Sequence, residues 1–397
     1  MKNLLLMVLA FFSICHCSTG FAKVGDNKNA LRPVKLRTGP AVFHPVLKRL
    51  EKGTSLVIIK EGPKWIKVRT PKGVEGWVST RVFSAPPKPR GYAALLKERK
   101  LSGVSLAVPT MASRGLNAGT TTGGGVALLM KDFLERVPFA PAEFEGFASK
   151  LKANEICEKL PGWLDEMAIP IEGDPQQDEL ERSFGMRLAV SILSDFELIT
   201  DPAIDSYVNK VGALVAAAST RYDLPWRFVV FKGGKKTAFS LPGGFVFVSF
   251  ALLQELKDEA ELAGVLAHLV AHVALAHRAL QLSRLDNEMP GSGKKSDSMQ
   301  DFVKKARGVF MSGVTPEEEM EADAFGATYC ACAGYDPGGL ASVLKRVGCF
   351  EPGCKGASVK KRLVLIDRVR KSTGSNPGVR LTKRFSGSLL AILSKSL

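Results

Sequence analysis

Histidine is scarce in this chain, with five residues in 397. Long apolar runs are scarcer still. Only one stretch approaches the length of a membrane span, at the extreme N-terminus, and this excludes a polytopic membrane protein. Acids are few against bases: 39 Asp+Glu stand beside 55 Lys+Arg, a formal net charge of +16. The remaining composition, 45% apolar and 24% charged, excludes wholesale disorder. At this length two or three domains are expected.

The N-terminus has the pattern of a secretion signal. Lys2 supplies a positive start, Leu4 to Cys15 an apolar run, and Gly20 and Ala22 the small residues that a signal peptidase reads. The expectation is export to the periplasm or cell envelope, with residues 1–22 removed before Lys23. An uncleaved anchor is the alternative, weakened by the shortness of the run. Cys15 and Cys17 follow Ile14 and His16 rather than a small residue, so lipidation is not expected.

Cysteine is also limited. After such a cleavage Cys157, Cys330, Cys332, Cys349 and Cys354 remain, an odd number that gives no complete disulfide framework. Cys349 and Cys354 flank a turn-like Phe350-Glu351-Pro352-Gly353 and can close a small disulfide loop in an oxidising compartment. Cys330 and Cys332 are poorly spaced for structural zinc and read as buried free thiols.

The charge is unevenly distributed. Residues 23–90 carry a net +12 and residues 355–397 a net +10, whereas residues 91–354 carry −7. Basic ends favour anionic surfaces such as phospholipid, wall polymers or peptidoglycan; a generally basic surface with no specific partner is the alternative. No nucleic-acid-reading motif accompanies them, and nucleic acid is not expected as a partner.

Residues 31–84 alternate in short strands divided by turn residues. The stretch "KLRTGP … LEKGTSLVIIKEGPKWIKVRTPKGVEGWVSTRVF" resembles a bacterial SH3 domain throughout. The resemblance implies a five-stranded barrel that docks on cell-wall peptide or another protein, with Phe43, Trp65 and Trp77 as aromatic candidates. For either tryptophan alone, a place in the core is the favoured reading. Residues 85–91 form a stiff Pro-rich linker. Residues 92–170 are a region of unknown role. It holds a Gly-rich loop (Gly119 to Gly125) and helical spacing over Val126 to Val137 and Phe144 to Met167.

Three of the five histidines fall within ten positions, in "DEAELAGVLAHLVAHVALAH". The apolar spacing from Asp258 to Leu280 predicts a buried helix, with acids in its first turn as the helix dipole prefers. His268 and His272 are four apart, share a face and can chelate one metal ion. His277 falls off that face. Two core histidines satisfied by other groups would leave the same trace, so the pair alone is weak. Downstream, Glu319 and Asp323 are also one turn apart, and a carboxylate from a second helix can complete a zinc site.

In order, "DPAIDSYVNKVGALVAAAS", "DLPWRFVVF", "TAFSLPGGFVFVSFALL", the histidine helix and "EMEADAFGATYCACAGYDP" resemble zinc metallopeptidases of the HtpX and CAAX-prenyl-protease type (peptidase family M48, a gluzincin). The resemblance runs from Glu181 to Pro337. It implies an α+β chain: an SH3-like barrel, then a mainly helical gluzincin-type domain with a small β-sheet over residues 171–371, then a basic tail over 372–397. It further implies zinc on His268, His272 and Glu319, with Asp323 supporting a ligating histidine. Leu241 to Ser249, and within it Leu241, Pro242, Gly243, Gly244 and Phe245, would pair with an extended polypeptide by adding a strand.

Three departures bear on mechanism. The family's His-Glu-x-x-His is here His268-Leu269-Val270-Ala271-His272, so Leu269 occupies the place of the general base and no catalytic residue is assigned. Losing a general base costs about 10²–10⁴-fold in rate. Thr237 stands where the family has Asn. Gly356-Ala357-Ser358 stands near the usual Thr-His-Pro, while Arg362 keeps the late arginine. Glu321, two residues from Glu319, is expected to point elsewhere.

The expectation is a zinc-binding, degenerate peptidase that binds unfolded or extended polypeptides. A slow but active metalloendopeptidase in envelope protein quality control is the first alternative. A metal-free scaffold acting through its SH3 domain is the second. The polar stretch Asp286 to Gln300 reads as a mobile loop, with a lid beside the site as the alternative.

Overall fold

The computed structural model describes residues 24–62, 64–84, 133–151, 175–193, 196–278, 299–354, 358–374 and 378–393. The expected leader, the Pro-rich linker, the Gly-rich loop, Gly356 with Ala357 and most of Asp286 to Gln300 lie outside them. Among the described residues no helix is long and apolar enough to cross a membrane. The chain divides into two compact units.

The first unit is an antiparallel sheet of β1 (Asn27–Asn29), β2 (Val34–Arg37), β3 (Val46–Leu50), β4 (Ser55–Lys60), β5 (Trp65–Arg69) and β6 (Glu75–Ser79), in the order β1-β4-β5-β6-β2-β3. This is one strand more than the resemblance implied. β1 is short and polar, so no apolar alternation marks it, yet Asn27, Lys28 and Asn29 pair with Val57, Leu56 and Ser55. Period-two alternation turns Ile66, Val68 and Val78 into a core with Leu36, Leu56 and Ile58. The same alternation corrects the reading of the tryptophans as core. Trp65 and Trp77 lie on the opposite face, half-buried, with Lys67 directly across from Trp77. Phe43, in the loop after β2, is half-buried with its ring stacked on His44, and residues 41–44 are grouped with the second unit rather than with this sheet.

The second unit is mainly helical around a small sheet of β7 (Arg227–Phe231), β8 (Ala238–Leu241) and β9 (Phe245–Ser249). The helices that position the site are α1 (Pro202–Ala218), α2 (Glu259–Ala274), α3 (Pro316–Cys332), α4 (Gly338–Val347) and α5 (Val359–Ser372). Earlier in the chain, Pro141–Ala148 and Pro175–Leu193 are helical. Of the helical spacing expected over Phe144 to Met167, the described part ends near Leu151.

Each helix start is written locally. Asp201 caps α1 with Pro202 at its first position. The Asp258 carboxylate accepts from Glu261 N at the start of α2. Thr315 and Glu318 form a reciprocal capping box at α3. α2 is apolar apart from Glu259, Glu261, His268 and His272, and every one of its residues is buried, as in a helix at the centre of a domain.

Two expectations about helix ends are corrected. α2 stops at Ala274 rather than Leu280, because Ala276 takes a left-handed conformation with φ 56°. No Gly or Pro announces that turn. The basic C-terminal tail is no tail over residues 378–393: Phe385 and Leu389 are fully buried in the main core. The backbone carbonyl of Arg380 accepts hydrogen bonds from Glu259 N and Ala260 N, closing the start of α2.

The sheet order β7-β9-β8 corrects the substrate strand. β9 is central, paired in parallel with β7 and antiparallel with β8, so Phe245 to Ser249 have no free edge. Pro242, Gly243 and Gly244 form the turn between β8 and β9, with both glycines at positive φ. The edge beside this hairpin is β8, to which Leu241 belongs.

Candidate metal centre

α2 presents His268 and His272 one turn apart, with their Nε2 atoms 3.2 Å from each other. Both rings are fully buried. α3 crosses α2 at Gly326, where a Cβ would come within 2.7 Å of the His268 backbone. Only glycine allows that approach, and it brings the face carrying Glu319 and Asp323 onto the histidines. Glu319 Oε2 lies 3.6 Å from His268 Nε2, and Asp323 Oδ1 lies 3.0 Å from His268 Nδ1. Asp323 therefore holds the proton on Nδ1, so that Nε2 is the atom a metal would take once its own proton is lost, as with a supporting carboxylate behind a metal-binding imidazole.

His272 is oriented by groups that sequence spacing did not reveal. The turn at Ala276 folds His277 back, so that its Nδ1 stands 3.0 Å from His272 Nδ1. His277 Nε2 in turn meets Glu321 Oε2 at 2.9 Å. Glu321 thus reaches the site indirectly, through His277. In this chain of contacts His272 donates from Nδ1 and keeps Nε2 bare.

A second glutamate was also missed. Glu351, in the loop closed by the Cys349–Cys354 disulfide, is buried with Oε1 3.2 Å from His268 Nε2 and 3.0 Å from His272 Nε2. Its Oε2 is paired with the buried guanidinium of Arg278. The only signal in the sequence was a single acid enclosed by two cysteines. Cys330 is a buried free thiol as expected, but Cys332 is disulfide-bonded. Its place at the end of α3 made the CxC spacing a poor guide.

The side-chain donors of His268, His272, Glu319 and Glu351 all lie within 4.8 Å of one another. Ligands on a tetrahedral zinc at bonds of roughly 2.0–2.2 Å stand about 3.3 Å apart, close to the 3.0–3.2 Å among His268, His272 and Glu351 and the 3.6 Å from His268 to Glu319. Glu319 Oε1 is buried without a hydrogen bond, although an orphaned carboxylate oxygen is costly. A nitrogen and oxygen donor set with one unpartnered carboxylate oxygen fits a zinc ion.

The electrostatics separate the two imidazoles. Burial presses the His268 pKa down, but Asp323 and Glu351 outweigh it and push it up to about 9. Burial holds His272 down at about 3, only partly opposed by Glu351. Glu319 is raised by burial and by the charge of Glu351. Asp323 stays low despite burial, because Arg362 and His268 hydrogen-bond to it.

Leu269 is fully buried in the main apolar cluster and carries no group that accepts a proton. Thr237 donates its hydroxyl to the carbonyl of Phe350 at 2.9 Å. Ser358 stands just before α5 without a side-chain cap bond. Arg362 pairs with both Asp323 and Glu319.

Residues 202–382 match the model of Peptidase family M48, and residues 32–84 that of the Bacterial SH3 domain. The beta-barrel assembly-enhancing protease of Escherichia coli O157:H7 is 24% identical over 219 residues, 50% of this chain and 45% of that protein. Its Yersinia pestis namesake is 27% identical over 164 residues, 38% of this chain and 34% of that protein. The mitochondrial metalloendopeptidase OMA1 of Schizosaccharomyces pombe is 32% identical over 122 residues, 29% of this chain and 36% of that protein. The matches span less than half the length of each of these relatives. The chain thus carries a peptidase family M48 domain preceded in sequence by a bacterial SH3 domain.

Proposed function

We propose that the second unit is a zinc-holding member of a peptidase fold that has lost most of its hydrolytic power and binds extended polypeptide in the cell envelope. The observation that carries this reading is the pairing of a buried His268/His272/Glu319 donor set with Leu269 in place of the base. When bound, zinc would supply a Lewis acid that polarises a carbonyl. His268 and His272 would hold the ion through Nε2, and Asp323 and His277 would hold the rings. No residue on α2 beside them moves a proton for an attacking water, so the step that a general base accelerates is left without one.

The extended polypeptide would add to the edge of β8, beside the site. Envelope residence agrees with the leader pattern and with the two basic ends. The first unit would supply docking: Trp65 and Trp77 give it an aromatic face, on which Lys67 is paired with Glu75, suited to wall peptide or another envelope partner. Protein quality control in the envelope is the setting of this reading, supported by the name beta-barrel assembly-enhancing protease that two of the relatives carry.

Metal analysis and casein digestion test this reading on the full chain. The expected result is one zinc per chain, lost in His272→Ala, with casein cleavage far below that of an active relative. Zinc-dependent cleavage at a rate like the relative's would overturn the loss of hydrolysis. A folded protein without zinc, purified without chelator, would overturn the metal site and leave the SH3 unit as the working module.

A further inference from the structure

We propose that Glu351 is a fourth protein ligand of the metal, so that the chain itself fills the coordination position a catalytic site leaves open. This rests on the metal-site reading above. Two independent features support it.

The first is position. Glu351 Oε1 stands 3.2 Å and 3.0 Å from the Nε2 atoms of His268 and His272, which are themselves 3.2 Å apart. These are the separations of donors sharing one ion. A general base would stand one water further out, and Oε1 leaves no room for a water between itself and an ion bonded to both nitrogens. Arg278 fixes the other oxygen, donates to the carbonyl of Phe310 at 3.2 Å and lies over the Phe310 ring. The carboxylate is therefore aimed before any ion arrives.

The second is the route by which Glu351 enters. The preceding carbonyl, that of Phe350, accepts from Ala238 N and from Thr237 Oγ1, both at 2.9 Å. Ala238 opens β8, and this bond leaves the sheet on its outer edge. The Phe350 ring is buried and packs edge-on to His268, with ring centroids 5.4 Å apart. One short loop, closed by Cys349–Cys354, thus takes a hydrogen bond from the substrate edge and delivers an acid to the metal. Four protein ligands are the mark of a structural zinc site, whereas catalytic sites keep one position open.

The test uses the full-length protein loaded with cobalt, whose visible absorption reports ligand number. The wild-type spectrum is expected to ignore added acetohydroxamate. In Glu351→Ala and in the isosteric Glu351→Gln the spectrum should shift on adding it. Both variants should also hold cobalt and zinc about 10- to 100-fold more weakly against a competing chelator. Glu351→Gln keeps an oxygen for Arg278 and so guards against misfolding of the alanine variant. A wild-type spectrum that answers acetohydroxamate as the variants do, with equal affinities, overturns the proposal. Casein hydrolysis by the wild type that Glu351→Gln abolishes without weakening the metal also overturns it, by making Glu351 a base. No metal on the folded wild type overturns the metal site itself, a failure distinct from the other two.

Discussion

Arg362 and Asp323 form a buried pair, Nη2 to Oδ1 at 2.9 Å and Nε to Oδ2 at 2.5 Å, and Asp323 faces His268 Nδ1 at 3.0 Å. The arginine on α5 thus sets the imidazole on α2 through a carboxylate on α3. Arg362→Met should leave Asp323 with His268 as its one remaining charged neighbour, remove the cation beside buried Glu319, and cost about 3–5 kcal/mol of stability. It should also weaken zinc about 10- to 100-fold, because Asp323 is then free to turn away from His268. Denaturation of the metal-free protein and chelator competition on the loaded protein measure the two effects separately. Lost stability with unchanged zinc affinity would show that Asp323 does not orient the ring.

The parts of this site written within one helix were legible in the sequence. His268 and His272, and likewise Glu319 and Asp323, are each four residues apart, and helical geometry alone puts each pair on one face. The fold class was what the resemblance implied, and alternation in one region and a buried apolar helix in another agreed with it. What escaped was set by turns and closures with no local mark. His277 reaches His272 only because Ala276 breaks the helix, and Glu351 reaches both ligands only because a disulfide loop folds over β8. The edge strand was misplaced by one because both strands of the hairpin are fully buried, and burial does not say which is central.

Restoring the missing base tests how much of the catalytic apparatus survives. Leu269→Glu places a carboxylate one residue from His268, in the family's arrangement. Alone it should raise casein cleavage little, because Glu351 still occupies the ion. Combined with Glu351→Ala it should raise chelator-sensitive cleavage by about 10²–10⁴-fold over Glu351→Ala alone. Zinc content of each variant is the control. A double variant that folds, holds zinc and still does not cut would place the defect in substrate binding at β8.

Proton linkage gives a third prediction. His268, raised to about 9, is protonated at neutral pH, yet only its neutral ring binds metal. Zinc uptake near pH 7 should therefore release about one proton from His268, and affinity should climb toward pH 9. In the metal-free protein the signs are opposite for the two histidines. The raised His268 stabilises fully below its ordinary value of about 6.5, and that contribution is lost as pH rises through about 9. The lowered His272 stabilises fully above about 6.5, and that contribution is lost as pH falls toward about 3. The two histidines together favour the metal-free fold near pH 6–7, raised Glu319 offsets the His272 gain as pH climbs toward neutrality, and zinc should extend stability to the alkaline side. Thermal melts across pH, with and without zinc, and titration in weak buffer check both statements.

The C-terminal segment is the last element whose weight can be measured. Glu259, fully buried in the first turn of α2, accepts from Tyr207 Oη at 2.6 Å and Tyr335 Oη at 2.5 Å. Its positive partner is Arg384, with Nε 2.7 Å from Oε2. Arg384→Met would leave that carboxylate buried against two hydroxyls and no cation, a loss of about 3–5 kcal/mol. Lys383→Ala, one residue away on an exposed position, should change stability by only about 0.5 kcal/mol or less. Deleting residues 379–397 should exceed either change, since it also empties the core of Phe385 and Leu389 and removes the Arg380 carbonyl from the start of α2. Urea denaturation of the three variants orders them. Equal stability of Arg384→Met and Lys383→Ala would mean that this segment contributes charge to the surface and nothing to the fold that holds the metal helix.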